Sequence, residues 1–488
     1  MYKQPPKRQQ LVKRIFVYMC MVAAVIAAVT FITFFIMGYR LDINNGNVQQ
    51  YAFLQFNSTP SGAMVSVDGK VTNSNTPNKT SVPAGKHDIV IWRDGYDTWK
   101  KSVDVKAGTL TWLNYALLVP KKLNLESVAN YKSVFTSLAS NKGNYMLVQQ
   151  YGDKPNFDLI NLESDKVKST SLTIPANVYK DATTAGVTHG FNAFKWDDGG
   201  RYVLVSHSYG ANSEWLVMDT QSISSTKNIT QTLDISVRQI NFSDTSGNNF
   251  FALDANGDLR KLDLSAGTIS KPLVGGVDSF RLYSETKVVT YVGHDSDKKR
   301  VVGVYRDGDD KASVLRTFAS ASYVPVDITA TRYFNDNYVA ISEGQQVSIL
   351  SGSYPGTTSD NSRAMKQIES FKVDNGITGL EFSPDGEYVL VKSGSNFTSY
   401  DLEYQKVAKS SIEGSSDQVS IKWLNDTYLW SDRSDQLTIR EFDGANVHSI
   451  NAVLPGQAVT ITNNGRYLYS IGKSTTGFQL QRVRLILP

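Results

Sequence analysis

One element recurs along residues 121–488: a strand, a tight turn built on Gly or Asn, then an aromatic-rich strand. It reads FKWDDGGRYVLVSHS at 194–208, INFSDTSGNNFFALD at 240–254, LEFSPDGEYVLVKSG at 380–394, IKWLNDTYLWSD at 421–432 and VTITNNGRYLYSIG at 459–472. SLASNKGNYMLVQQ (137–150) and ITATRYFNDNYVAISE (328–343) are looser copies. A second element follows, a strand ending in an Asp-rich turn, as in LVMDTQS (216–222), LRKLDLSAG (259–267), TSYDLEYQK (398–406) and IREFDGANV (439–447). Units repeating every 35–50 residues or so, each too small to bury its own faces, must stack on their neighbours. Four-stranded antiparallel sheets arranged radially, a β-propeller, satisfy that need and remove open sheet edges. Eight units start near residues 132, 190, 235, 276, 322, 374, 417 and 456. The last has room for about three strands, and residues 123–128 are expected to supply its outer strand and close the ring. Seven blades, or an array of β-sandwiches, are the alternatives.

Ahead of this region lies IFVYMCMVAAVIAAVTFITFFIMG, residues 15–38, 24 residues without a charge. As a helix rising about 1.5 Å per residue it covers roughly 36 Å, enough to cross a hydrocarbon core of about 30 Å. The run is apolar on all faces, unlike a soluble core helix. It is longer than the 7–15 or so apolar residues of a cleaved signal peptide, and no small-x-small site follows it. It reads as an uncleaved signal anchor. The first 14 residues carry Lys3, Lys7, Arg8, Lys13 and Arg14 and no acid. By the positive-inside rule that tail is cytoplasmic and the rest extracytoplasmic.

The chain has 50 Lys+Arg and 46 Asp+Glu, and setting aside the five basic residues of the tail leaves 45 against 46. The basic balance is therefore a topology signal, and no nucleic-acid surface is expected. The only cysteine, Cys20, falls inside the apolar run. The remainder has no disulfide, thiolate metal site or cysteine nucleophile, a pattern that leans towards a bacterial surface.

Residues 39–53 read as a polar linker, and 54–119 as a small all-β unit with hairpin signals at Asp68-Gly69 and Asp94-Gly95. Within it stand Pro60-Ser61-Gly62-Ala63, then Val65-Ser66-Val67-Asp68-Gly69, Thr76-Pro77, Pro83-Ala84-Gly85-Lys86-His87 and Gly95-Tyr96. In these spaced elements the stretch resembles the PEGA domain, a small β-sandwich of bacterial surface proteins. Ser61 replaces the glutamate of the family motif, and Asn75 stands where a glycine usually precedes Thr-Pro. The resemblance implies a role in surface attachment. FSPDGEYVLV, with its Pro-Asp-Gly turn, is similar to the WD-repeat-like bacterial propellers.

The search for chemistry yields no catalytic, cofactor-binding or metal-ligating residue. His87, His189, His207, His294 and His448 form neither HExxH nor a close pair, so satisfied structural histidines are expected. Gly472-Lys473-Ser474 lacks the earlier glycine of a phosphate loop, Tyr467 standing there, and opens no helix. Asp254-Ala255-Asn256-Gly257-Asp258 resembles part of a calcium loop, but Asp263 stands where the bidentate glutamate belongs, so a hairpin turn is expected. Asp307-Gly308-Asp309-Asp310 reads as a solvated turn. Trp196 and Trp423 occupy equivalent positions of two units and read as core, as do Trp92, Trp99 and Trp112 in the small unit. There is no Gly-x-Ser-x-Gly elbow and no segment left for a hydrolase domain.

The chain is thus expected to be an all-β ectodomain behind one membrane helix, without cofactor, that binds an envelope protein or cell-wall glycan. A hydrolase or lyase with acids in the propeller channel is the enzymatic alternative. The sensor subunit of a signalling complex is the third, requiring a membrane partner because the 14-residue tail holds no output domain.

Overall fold

The repeats fold into sheets whose middle strands are buried on both sides. In the computed structural model, Tyr388–Ser393 and Val288–His294 are almost wholly covered along their length. That is why they read as continuous apolar runs instead of alternating ones. The structure describes residues 7–36, 39–41, 48–182, 184, 186–283, 285, 287–319, 324–356, 364–412 and 421–488.

Among these, residues 123–485 form eight four-stranded antiparallel sheets, the first seven following chain order. Blades 1 to 8 begin with Thr136–Ala139, His189–Trp196, Val237–Phe242, Val277–Tyr283, Val326–Tyr333, Gly379–Phe382, Ile421–Trp423 and Thr460–Ile461. The expected starts near 322 and 417 lie outside the described residues. The final sheet takes its outer strand from the beginning of the unit: Leu125–Tyr131 pairs antiparallel with Gly477–Arg484, Ala129 opposite Leu480. The expected closing strand is present, shifted a few residues towards the C-terminus.

The core lies between blades. Leu147 and Phe157 of blade 1 pack with Phe191, Trp196 and Val203 of blade 2, and the pattern continues around the ring. Met146, Val148 and Ile160 of blade 1 meet Tyr467, Tyr469 and Leu480 of blade 8, which joins the first blade to the last. Gly143 sits at this seam with φ +65°, where an added Cβ would stand 2.1 Å from the Ile461 carbonyl oxygen. Neither the backbone angle nor the space admits another residue.

The first unit, residues 7–122 with 486–488, contains two further sheets. One joins Tyr39–Leu41, Val48–Thr59, Asn78–Pro83 and Leu110–Leu117; the other joins Lys70–Val71, Met64–Val67, Gly85–Trp92 and Trp99–Val105. Leu54, Phe56, Val65, Ile89, Ile91, Trp99 and Leu113 fill the core of this sandwich. Two expectations are corrected here. Residues 48–53 are no linker: they belong to the long strand Val48–Thr59, whose alternate side chains Ala52, Leu54 and Phe56 are buried, and Tyr39–Leu41 pairs with its start. Residues 42–47 lie outside the described residues. The chain end does not stay with the propeller: Leu487 packs on the sandwich core and donates its N–H to the Tyr96 hydroxyl at 2.7 Å.

The apolar run lies in one helix, Lys7–Ile36, of which Leu11–Ile36 is long and apolar enough to cross a membrane, with no residue buried. Residues 1–6 of the tail and 37–38 of the run lie outside the described residues.

Candidate functional site

The expectation of no close histidine pair is overturned in blade 2. His189 opens the first strand, His207 lies on the second, Tyr202–Tyr209, and Glu214 on the third, Asn212–Asp219. The His207 and Glu214 side chains are fully buried, and His207 Nδ1 stands 2.8 Å from Glu214 Oε1. His207 Nε2 in turn stands 2.9 Å from His189 Nδ1, and His189 is half-buried. Burial alone would raise the Glu214 carboxyl. Hydrogen bonds from His207, Gln231 and the Lys180 amide overrule it and hold the group at about 2. The result is a buried carboxylate relayed through one imidazole to a second that reaches the surface. Among the described residues no group of three or more His, Cys, Asp or Glu side chains is arranged to hold a metal ion.

The first strands lie nearest the axis, where those of neighbouring blades pack on each other. Their polar side chains lock adjacent blades together. Lys195 donates to Asn241 at 2.8 Å, and the Gln239 amide bonds both the carbonyl and the N–H of Phe280. Arg281 reaches Asp327 at 2.5 Å and also the Leu380 carbonyl of blade 6. The acids of these strands are all paired: Asp278 with His294, Asp327 with Arg281, Glu381 with Lys392.

The Asp-rich turns spend their carboxylates on their own backbones. Asp219 accepts from the Gln221 and Ser222 amides, Asp263 from Ser265 and Ala266, and Asp401 from Tyr404. Asp254 caps its turn through the Asn256 and Asp258 amides, while Arg260 neutralises both Asp254 and Asp258. The calcium-like segment is therefore the hairpin turn its sequence predicts. Asp307 pairs with Lys261 and Asp309 with Arg306, and Lys473 of Gly472-Lys473-Ser474 pairs with Asp435. Trp196 and Trp99 are core, and the Trp196 indole also donates to the Leu138 carbonyl of blade 1 at 3.1 Å. Trp112 departs from the expectation: it is 42% exposed on its strand.

Glu387 differs from the capping carboxylates, and Asp401 beside it caps its turn yet is perturbed as well. On blade 6, burial reinforced by the charges of Asp401, Asp385 and Glu403 pushes Glu387 up to about 8, and burial pushes Asp401 up to about 6. Above them Tyr333 of blade 5 donates to Glu403 at 2.8 Å, beside Phe334, a 78% exposed ring at a turn with φ +49°. A carboxyl raised on folding favours the folded state while neutral, so its contribution falls as pH rises from about 4.5 to about 8. Glu387→Gln should therefore raise stability at pH 8.5 by about 1–2 kcal/mol after solvent screening and leave it unchanged at pH 4. Chemical denaturation of both proteins at the two pH values checks this; destabilisation at pH 8.5 would refute it.

In the small sandwich the motif residues tie the two sheets' loops together. The Thr76 hydroxyl bonds the Ala63 N–H at 2.9 Å and the Ser58 hydroxyl at 2.6 Å, and the Gly62 N–H donates to the Thr76 carbonyl at 2.7 Å. Gly62 holds φ +83°, a conformation costly for any other residue. His87, almost fully buried, places Nδ1 2.7 Å from Asp68 Oδ2 and Nε2 2.7 Å from the Pro83 carbonyl. Both partners only accept, so both ring nitrogens must donate and the ring is an imidazolium.

Residues 53–119 match the PEGA domain family. The Pro-x-Gly-Ala, Thr-Pro and Pro-x-Gly-x-His elements of this PEGA domain are thus the residues that close its loops. Ser61 in the motif uses its carbonyl, which accepts from Arg93 at 2.7 Å. Burial lowers the pKa of His87, but hydrogen bonds to Asp68 and Pro83 outweigh it and the net shift is upward. Bonds from the Asp88 amide and His87 lower Asp68. The pair therefore stabilises the PEGA domain fully between about pH 4 and pH 6.5, losing effect as pH falls through the Asp68 value or rises through that of His87. Exchange of the Ile89 and Ile91 amides should accelerate above that window beyond the intrinsic rate. In His87→Gln it should be faster throughout, by about 1–2 kcal/mol of local stability, and flat with pH.

Solved structures similar to the chain include the β-propeller domain of Myceliophteria thermophila Cps50 (Swd1), 12% identical over 74% of this chain and 99% of that one, TM-score 0.39. Others are an oligogalacturonate lyase in complex with manganese (11% identical, 72% and 98% covered, TM-score 0.40) and a chain of the mitotic checkpoint complex (13% identical, 75% and 95% covered, TM-score 0.37). They are too distant to bear on function. No curated protein sequence matches the chain.

Proposed function

We propose that this protein is a membrane-anchored, extracytoplasmic binding or scaffold protein of a bacterial cell envelope. The helix Lys7–Ile36 is the anchor, the basic tail lies in the cytoplasm, and the PEGA domain and propeller lie outside. The propeller presents its loops to an envelope protein or a cell-wall glycan. The observation that carries this reading is the commitment of the acids. Those at the axis have basic partners, Asp327 and Glu381 in ion pairs, and those of the Asp-rich turns cap their own backbones, so both serve the rigidity of a ring that holds loops in place. Protease added to cells with a permeabilised wall should degrade the propeller. Protection there, with cleavage in inverted vesicles, would reverse the topology. Affinity capture of envelope proteins and glycans with the full chain in detergent should then return a saturable ligand.

The raised Glu387 and Asp401 favour a second reading, an extracytoplasmic hydrolase or lyase. A carboxyl neutral at pH 7 is the form a general acid requires. These two stand in the turns of blade 6, away from the paired acids of the axis. Turnover of envelope polysaccharides lost in Glu387→Gln would support it, and unaltered polymers would exclude it.

A further inference from the structure

The Glu214–His207–His189 relay of blade 2 also holds a piece of chain. Residues 175–180 follow the buried Ile174 and lead from blade 1 into blade 2; besides the packing of Val178 and Tyr179 on the core, three polar or ring contacts fasten them. The Lys180 N–H donates to Glu214 Oε1 at 2.8 Å, the Asn228 amide donates to the Val178 carbonyl at 3.0 Å, and the Tyr179 ring stands edge-on to His189, His207 and Phe191. The Tyr179 contact rests on the two imidazoles themselves, and the Lys180 contact on the carboxylate that His207 orients.

The proton count follows from the geometry. Glu214 accepts from His207, the Lys180 amide and Gln231 Nε2, so it carries no proton. His207 Nδ1 must then donate to it. One proton lies between His207 Nε2 and His189 Nδ1, 2.9 Å apart, whichever ring owns it. The remaining site, His189 Nε2, is bare or protonated. The arrangement therefore accepts two or three ring protons. A fourth would give both imidazoles two N–H groups and point two donors at each other, leaving two cations facing a single carboxylate.

The charged and titratable neighbours are few. The third strand brings Glu214, the second brings Tyr209, whose ring stacks on His207, and the segment itself brings Tyr179, Lys180 and the adjacent Asp181. Helix Ile229–Leu233 and its cap Asn228 contribute only the neutral amides of Gln231 and Asn228, and the facing residue of the first strand, Phe191, is apolar. Glu214, held at about 2 by its hydrogen bonds, stays a carboxylate across the neutral and mildly acidic range.

We propose that the relay is an acid-released latch: double protonation of the His189–His207 pair breaks their hydrogen bond, swings His189 outward and frees residues 175–180 from blade 2. At neutral pH the segment is seated, and in an acidified medium it is exposed on the loop face of the propeller. The alternation is reversible and requires no ligand.

Hydrogen exchange of the full chain in detergent, read from pH 7.5 to 4.5 and corrected for intrinsic rates, tests it. The Lys180 amide should lose about tenfold or more of its protection on acidification. The Val391 amide of blade 6 should keep its protection, which separates latch release from unfolding. His189→Phe keeps a ring against Tyr179 and Phe191 but cannot take the fourth proton, so its Lys180 amide should stay protected at pH 4.5. An equal acid response in that variant overturns the latch. A flat Lys180 profile in the natural protein overturns it as well, whether or not the variant folds.

Discussion

Deleting residues 125–131 should leave blade 8 with three strands and a ring that no longer closes. Residues 477–484 form the third strand of that blade, and their outer edge is covered by these seven residues alone, drawn from some 350 positions earlier in the chain. Without them a run of unpaired backbone groups meets water at the seam where Tyr467, Tyr469 and Leu480 pack on blade 1. An exposed edge of that kind invites pairing between molecules. The expected outcome is aggregation on size-exclusion chromatography. A finer test is Ala129→Pro, which inserts a ring opposite Leu480 in the middle of the closing strand, removes a donor there and should cost about 1–3 kcal/mol. Ala408→Pro in the outer strand of blade 6, Lys406–Ser411, is the comparison. That strand is joined to its own blade by a local turn, so its loss frays one edge while the ring stays shut. Equal losses at the two sites in denaturant titrations would show that closure contributes nothing special.

The closing strand was legible because a unit with only three strands left in it must find the fourth elsewhere, and the chain offers one at 123–128. Blade number was legible for a related reason, the recurrence of Asp- and Gly-built turns once in each unit. The start of the PEGA domain was not. QQYAFLQF alternates as a strand from its first residue, but its pairing partners Tyr39–Leu41 and Asn78–Pro83 lie on either side in sequence, and alternation alone marks no boundary. The histidine relay was hidden by register. His189 and His207 lie 18 residues apart, and the hairpin closes with Trp196 opposite Val203. Counted back regularly from there, His207 would oppose Asn192 and face away from His189. A bulge between Ala193 and Lys195 shifts the register by one, puts His207 opposite Phe191, and brings both imidazoles to one face. Nothing in the residue types announces that bulge. The raised Glu387 was equally hidden, since its pKa reflects three acids gathered on blade 6 by the turn geometry and the depth to which the fold buries it.

Asp197→Ala should be among the most damaging single changes in the propeller, although it removes one carboxylate from a turn between two strands. Asp197 is buried, with Oδ1 accepting the Arg201 amide at 2.8 Å and the Tyr202 amide at 2.7 Å, and Oδ2 accepting the Gly199 amide at 3.0 Å. Alanine leaves three backbone donors without that acceptor, two of them on the half-buried Arg201 and Tyr202. At about 1–3 kcal/mol for each unsatisfied group, partly relieved by relaxation, a loss of about 3–5 kcal/mol is expected. Asp198, the next residue, is exposed and receives one bond, from Asn141, so Asp198→Ala should stay within about 0.5 kcal/mol of the natural protein. The pair of measurements separates what an acid does from where it stands in the sequence. Acids kept for activity tend to be tolerated at a cost to stability, and replacing them is neutral or stabilising. A large loss at Asp197 beside a gain at Glu387 would therefore divide the acids of this ring into those that hold it together and those held for another purpose. A gain at Asp197 would undo its assignment as a cap of the turn at 197–201 and weaken the view that acids of this ring serve its rigidity.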